Sequence, residues 1–135
     1  MTSTGIVFFA LALASVSHAA DTRLLRAIKT VEAVRQPGKR GPAGELGYYR
    51  ITPGVWSQHT TAPFARCGLD EKLEEWVAAR HLDWIERELV RTGDGPSIFR
   101  IALAWNAGLN GSADAPVSAK NYAKRVEALY REMKP

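Results

Sequence analysis

The sequence predicts a mainly α domain of small size. Apolar residues recur at helical spacing in several stretches, and cap and stop residues bracket those stretches. A loop crowded with glycine and proline separates the first stretch from the rest. There are no internal repeats.

The first helix is expected over residues 21–35, where Leu24, Leu25, Ile28 and Val31 share a face. Glu32 lies one turn after Ile28, which puts a carboxylate at the edge of the core. Residues 36–47 hold four glycines and two prolines and are expected to form a loop with several required turns. Residues 48–51, Tyr-Tyr-Arg-Ile, read as a short extended piece. Thr52-Pro53 reads as an N-cap with proline at the first helical position, and residues 58–68 read as irregular. A long helix is expected from an N-cap at Asp70 to about Arg91. Glu71, Glu74 and Glu75 in its first turns complement the helix dipole. Leu73, Trp76 and Val77 begin its apolar stripe, which Leu82, Ile85 and Leu89 continue. Gly93-Asp94-Gly95 ends it. A shorter helix over 97–107 is apolar almost all round, through Ile98, Phe99, Ile101, Leu103 and Trp105, which marks it as central. Gly108 is its stop signal. A linker over 110–116 leads to a last helix over 118–133, whose buried stripe is Tyr122, Val126 and Leu129.

The chain has 135 residues. Its start differs in kind from the remainder. Residues 6–14 are an apolar run, and Ser17-His18-Ala19 offers small residues at a cleavage site. Residues 1–19 therefore read as a secretory signal peptide, although the usual basic residues before the apolar run are missing. The run is short for a spanning helix. Residues 20–135 are then one domain, periplasmic or secreted, with a modest core. The net charge of +4 belongs wholly to that domain and suits an anionic polymer such as cell-wall material. The single cysteine, Cys67, excludes an internal disulfide and reads as a buried thiol.

Acid-catalysed cleavage of a sugar link needs a carboxyl kept protonated near neutral pH, and burial against apolar groups supplies that. Glu32 fits by position, although spacing alone favours a helix-end acid in a local salt bridge. Three blocks of sequence change that balance. From Glu32 to Trp56 the chain follows, without a gap, the pattern Glu-Ser, a loop, then Ser-Pro-x-Gly-x-x-Gly-Leu-Met-Gln-Ile-x-Pro-Gly, matching at Glu32, Pro42, Gly44, Gly47, Ile51, Pro53 and Gly54. Residues 102–108, Ala-Leu-Ala-Trp-Asn-Ala-Gly, follow Ala-Tyr-Asn-Ala-Gly. Residues 121–126, Asn-Tyr-Ala-Lys-Arg-Val, follow Asn-Tyr-Val-x-Arg-Val. In that order and spacing the chain resembles the soluble lytic transglycosylases of the lysozyme-like superfamily, over nearly all of the mature domain.

The resemblance implies a lysozyme-like helical fold in which the Gly/Pro-rich loop forms part of a cleft. It makes Glu32 the catalytic acid/base, with Tyr122 hydrogen-bonding near it. The reaction implied is cleavage of the β-1,4 link between N-acetylmuramic acid and N-acetylglucosamine. One enzymatic carboxylate suffices, because the substrate acetamido group stabilises the cationic centre and the muramic 6-hydroxyl closes a 1,6-anhydro ring. Tyr48, Tyr49, Arg50, Asn106 and Tyr122 are the substrate-binding candidates, with Trp56 a further aromatic for a sugar face. Each of the aromatics is also readable as core or half-buried wall, and Trp105 reads as core. Asn106, at the end of an apolar helix, is expected to need a buried hydrogen-bond partner. Glu45 reads as a solvated loop charge.

Three positions depart from the pattern: Ala33 and Gly41 stand where the family has serine, and Arg50 where it has glutamine. The first two remove hydroxyl partners of the acid. Arg50 has three readings: a cation that lowers the Glu32 pKa, a partner for a carboxylate of the wall peptide or lactyl group, or a surface arginine. Two other functions stay open beside the transglycosylase: a lysozyme-type hydrolase, and a non-catalytic peptidoglycan-binding module. His59, Cys67 and His81 match no zinc spacing, so neither a metal nor a cofactor is expected. The glycines follow a helix, not a strand, so no phosphate loop is expected. The scattered Lys and Arg residues read as solvated faces. The expected partner is the peptidoglycan glycan strand, without nucleic acid; recruitment by a cell-envelope protein is left open.

Overall fold

The computed structural model describes residues 21–110 and 114–135. The expected signal segment lies outside them. Five α-helices follow in order: α1 Thr22–Glu32, α2 Pro53–His59, α3 Glu71–Arg91, α4 Ile98–Ala107 and α5 Val117–Glu132, with a 3-10 turn at Phe64–Arg66 between α2 and α3. The protein is a small, mainly helical domain, and no strand occurs among the described residues.

Capping chemistry sets most of the boundaries. The carboxylates of Asp21 and Asp70 and the hydroxyls of Thr52 and Ser97 accept from the first free N–H groups of α1, α3, α2 and α4. Pro53 opens α2 and Gly108, at φ 78, closes α4. α1 stops at Glu32, three residues before the expected end, because the chain turns off at Ala33.

The central position expected for α4 holds. Ile101, Ala102, Leu103 and Ala104 are all buried, and α4 packs along α5 and against α3. Ala119 and Ala123 let α5 come close to it, and α1 closes the other side of α5 through Leu24, Leu25, Ile28 and Val31. Burial of this many aliphatic side chains, at about 25 cal/mol per Å², is the main favourable term for the fold.

Three expectations change. Residues 48–51 do not extend into a strand. Leu46 and Ile51 exchange two backbone hydrogen bonds at 2.8 and 3.0 Å and enclose a tight turn. α2 runs on to His59, into a stretch expected to be irregular. Trp76 is 47 % exposed and lies outside the apolar stripe of α3, where Arg80 covers its ring.

Candidate active site

Glu32 is the last residue of α1, so its neighbours come from the loop that follows and from whatever packs on that end. The loop supplies Ala43, Glu45, Arg50 and Thr52. The C-terminal end of α4 supplies Trp105 and Asn106, and α5 supplies Tyr122 and Arg125. Together these residues line an open cleft of about 310 Å³ with Glu32 in its wall.

Burial pushes the Glu32 carboxyl above the ordinary range. Tyr122, Arg35 and Arg50, in that order, pull it back, and Glu45 adds to the rise; the net direction is upward. The Tyr122 hydroxyl is fully buried. It makes no hydrogen bond of standard geometry, yet it faces Glu32 closely enough that each group shifts the other. Burial and the Glu32 charge hold the phenol well above its usual range.

The loop is knitted by backbone bonds. Gly41 N donates to Glu45 O at 2.9 Å, and Gly47 N to Pro37 O at 2.8 Å. The Glu45 carboxylate is folded inward. It accepts from Ala43 N at 2.8 Å and Arg35 Nη1 at 3.4 Å, with Arg50 Nη2 at 3.9 Å. Its expected place in solvent is therefore corrected: Glu45 is 9 % exposed, drawn in by two guanidinium groups and a turn N–H. This also explains Gly41. A Cβ there would sit 1.8 Å from Glu45 Oε1 and 2.8 Å from Arg50 Nη2, so a serine does not fit beside the inward carboxylate.

Arg50 has φ 52 and stands alone among the described non-glycine residues in having positive φ, a backbone cost usual at constrained sites. Its side chain is 5 % exposed. Nη1 donates to Lys39 O at 2.7 Å and Gln36 O at 3.3 Å, while Nε has no partner. Its cation reaches Glu32 only through its field, so the reading of Arg50 as a plain surface arginine is excluded.

A second buried acid holds the loop from below. Glu74, in the first turn of α3, is 0 % exposed. It accepts from Tyr49 N at 2.8 Å and Gly68 N at 3.1 Å. Gly47, at φ 87, passes so close that a Cβ would lie 2.2 Å from Glu74 Oε1. Glu74 keeps its expected place in the first turn of α3 and also anchors the turn.

The candidates named from sequence divide cleanly. Glu32, Arg50, Asn106 and Tyr122 meet in the cleft. Tyr48 and Tyr49 do not. Tyr49 is 2 % exposed, turned into the core by the bond from its N–H to Glu74, and is unavailable to a sugar. Tyr48 is half-buried against Lys29, whose ammonium lies 5.0 Å from the ring centre. Trp56 is 1 % exposed and donates Nε1 to Ala62 O at 2.7 Å. Trp105 was expected in the core, yet it is half-buried and forms part of the cleft wall. Asn106 is exposed at the rim, so the expectation that it needs a buried partner does not hold. Sequence reasoning missed Arg35 and Arg125 as neighbours of the acid, and placed Glu45 in solvent. Arg125 had a signal, since it is the arginine of the third matched block.

Behind Trp105 lies a histidine pair. His59 Nε2 and His81 Nδ1 are 3.0 Å apart, and His81 stacks on Trp84 and meets Trp105 edge-on. Burial pushes the His81 pKa down to about 4, so the pair is neutral near pH 7. No group of three or more His, Cys, Asp or Glu side chains placed to hold a metal ion occurs among the described residues.

No family model matches this chain. Neither a curated protein nor a solved structure matches it either. The chemistry of the cleft is therefore argued from its own geometry and from the three sequence blocks.

Proposed function

We propose that the protein is a peptidoglycan lytic transglycosylase of lysozyme-like fold, exported to the periplasm or beyond, with Glu32 as its single acid/base. The observation that carries this reading is convergence. Blocks centred near residues 32, 106 and 122 come from α1, α4 and α5 and meet in one cleft, with the raised carboxyl of Glu32 in its wall.

In this reading Glu32 enters protonated and gives its proton to the 4-oxygen of the leaving N-acetylglucosamine as the bond to muramic C1 breaks. The acetamido oxygen of the muramic residue attacks C1 and carries the positive charge. The 6-hydroxyl then attacks C1, the acetamido oxygen leaves, and Glu32 takes the hydroxyl proton. The acid is restored and the product is a 1,6-anhydro end. Tyr122 steadies the ionised form between the two proton transfers.

Neither alternative gains a specific observation. A hydrolase using a second carboxylate as base would draw on Glu45, but both of its oxygens are engaged. A binding module that has lost its acid would have Glu32 neutralised by Arg50. Burial outweighs the arginine field, and the Glu32 pKa stays raised.

The test is incubation of purified peptidoglycan with the protein, followed by mass spectrometry of the soluble fragments. Anhydro ends are expected, and Glu32→Gln is expected to lower their release by about 10²- to 10⁴-fold. Reducing ends only would move the reading to a hydrolase. Full activity in Glu32→Gln would remove the acid from Glu32.

A further inference from the structure

A second concavity of about 460 Å³ adjoins the cleft. Val34, Arg35 and Arg50 line both, so the two are continuous. The rest of the second wall is Gln36, Lys39, Arg40, Gly41 and Pro42. Four of its lining residues are cations and none is acidic. Glu45 lies on the cleft side and answers only Arg35 and Arg50. Lys39 has no carboxylate partner among the described residues, and Arg40 faces only the Phe64 ring, 5.4 Å from its centre. The groove therefore holds more positive charge than the protein itself neutralises.

A further observation concerns Arg50. Its side chain is nineteen-twentieths buried and held in a costly backbone conformation, and its Nε is left without a partner. A buried guanidinium N–H without an acceptor is expensive. The protein keeps this one at the junction of cleft and groove.

We propose that this groove is a carboxylate-binding subsite, which holds the acidic substituents of the glycan while Glu32 acts on the sugar backbone. It rests on the reading of the cleft as a peptidoglycan site and names the part of the substrate that distinguishes it from neutral glycans. Planar guanidinium groups match carboxylates in two-point contacts, and the exposed Lys39 and Arg40 add attraction at longer range. A strand with carboxylates beside its scissile link places one in the groove when that link lies at Glu32.

The experiment uses the Glu32→Gln protein, which leaves glycan intact. Its affinity is measured for soluble strands carrying stem peptides, for strands stripped to the lactyl carboxylate, and for an uncharged N-acetylglucosamine oligomer. Peptide-bearing strands are expected to bind about tenfold tighter than the uncharged oligomer at low salt, with the advantage shrinking as salt rises. The stripped strands expose a lactyl carboxylate that the stem peptide otherwise holds as an amide: affinity equal to the peptide-bearing strands means that either carboxylate fills the groove, and a lower affinity assigns the carboxylates of the stem peptide. Adding Lys39→Gln and Arg40→Gln is expected to remove most of the preference and leave the uncharged oligomer unaffected. Lys39→Gln alone repeats the test with the Arg40–Phe64 contact intact. Equal affinity for all three glycans, or a preference that survives both substitutions, overturns the subsite. Fragment release by the unsubstituted protein is measured alongside. Release together with equal affinities overturns the subsite alone, whereas no release and no glycan binding overturns the reading of the cleft as well.

Discussion

Glu32 and Glu74 are both carboxyls that burial pushes above the ordinary range, one at the last residue of α1 and one in the first turn of α3. They differ in what meets their oxygens. Glu74 is spent on backbone N–H groups of Tyr49 and Gly68 and is sealed from solvent. Glu32 has one buried phenol nearby and an open cleft in front of it. A raised pKa is therefore a poor sign of chemistry by itself. Lone pairs facing open volume, rather than a raised pKa, are what make Glu32 and not Glu74 the candidate acid.

The largest expected contrast comes from removing each charge. Glu74→Leu leaves at least two buried N–H groups without an acceptor, at about 1–3 kcal/mol each. Its thermal or denaturant midpoint should fall by the equivalent of about 3–5 kcal/mol. Glu32→Gln should move the other way at pH 7. A carboxyl whose folded pKa lies above its unfolded value binds more protons when folded, so stability falls as pH rises through that interval. An amide avoids that loss. Glu32→Gln should thus melt higher than the parent near pH 7 and lose the advantage below the unfolded carboxylate pKa. A destabilised Glu32→Gln at pH 7 would erase the distinction between the two acids.

Gly47 sharpens the comparison from the backbone side. Alanine there brings a Cβ to 2.2–2.5 Å from the Glu74 carboxylate at φ 87. The left-handed conformation alone costs about 1–2 kcal/mol, and the contact forces Glu74 out of place. Gly47→Ala should cost about 2–4 kcal/mol, measured by urea unfolding. Combined with Glu74→Leu it should cost clearly less than the sum, because both act on one contact. Additive losses would mean that Glu74 does not set the turn.

The two acids also mark where sequence is and is not legible. Caps are local chemistry, so the starts of α2 at Pro53 and of α3 at Glu71 could be read directly. The acid at the end of an amphipathic helix could be read from spacing. Glu45 and Glu74 could not: Glu45 was expected in solvent, and Glu74 only as one of the acids that complement the α3 dipole. Their burial depends on groups far along the chain: Glu74 meets a backbone N–H at residue 49, and Glu45 meets a guanidinium from residue 35. Of the two readings of Tyr49, sugar contact and core, the structure bears out the core. Tyr49 is buried together with Ile51, and its N–H is fixed by Glu74, a partner 25 residues along the chain. The one visible hint was Gly41, where a missing side chain makes room for the Glu45 carboxylate.

The smallest expected effect tests whether Glu32 is tuned as well as buried. Tyr122 is the foremost influence holding the Glu32 pKa down. Tyr122→Phe keeps the ring among its neighbours and removes only the hydroxyl. The ionised carboxylate loses its nearest support, so the Glu32 pKa should rise further. A general acid must be protonated to act, and activity falls as pH climbs through its pKa. The alkaline limb of the kcat/KM profile should then move to higher pH in Tyr122→Phe. The plateau on the acid side should fall by less than about tenfold, the scale of one hydrogen bond. Movement of that limb to lower pH would mean that Tyr122 stabilises the protonated acid. An unmoved limb would mean that the Tyr122 hydroxyl does not tune Glu32, and would leave burial, the arginines and Glu45 to set its shift.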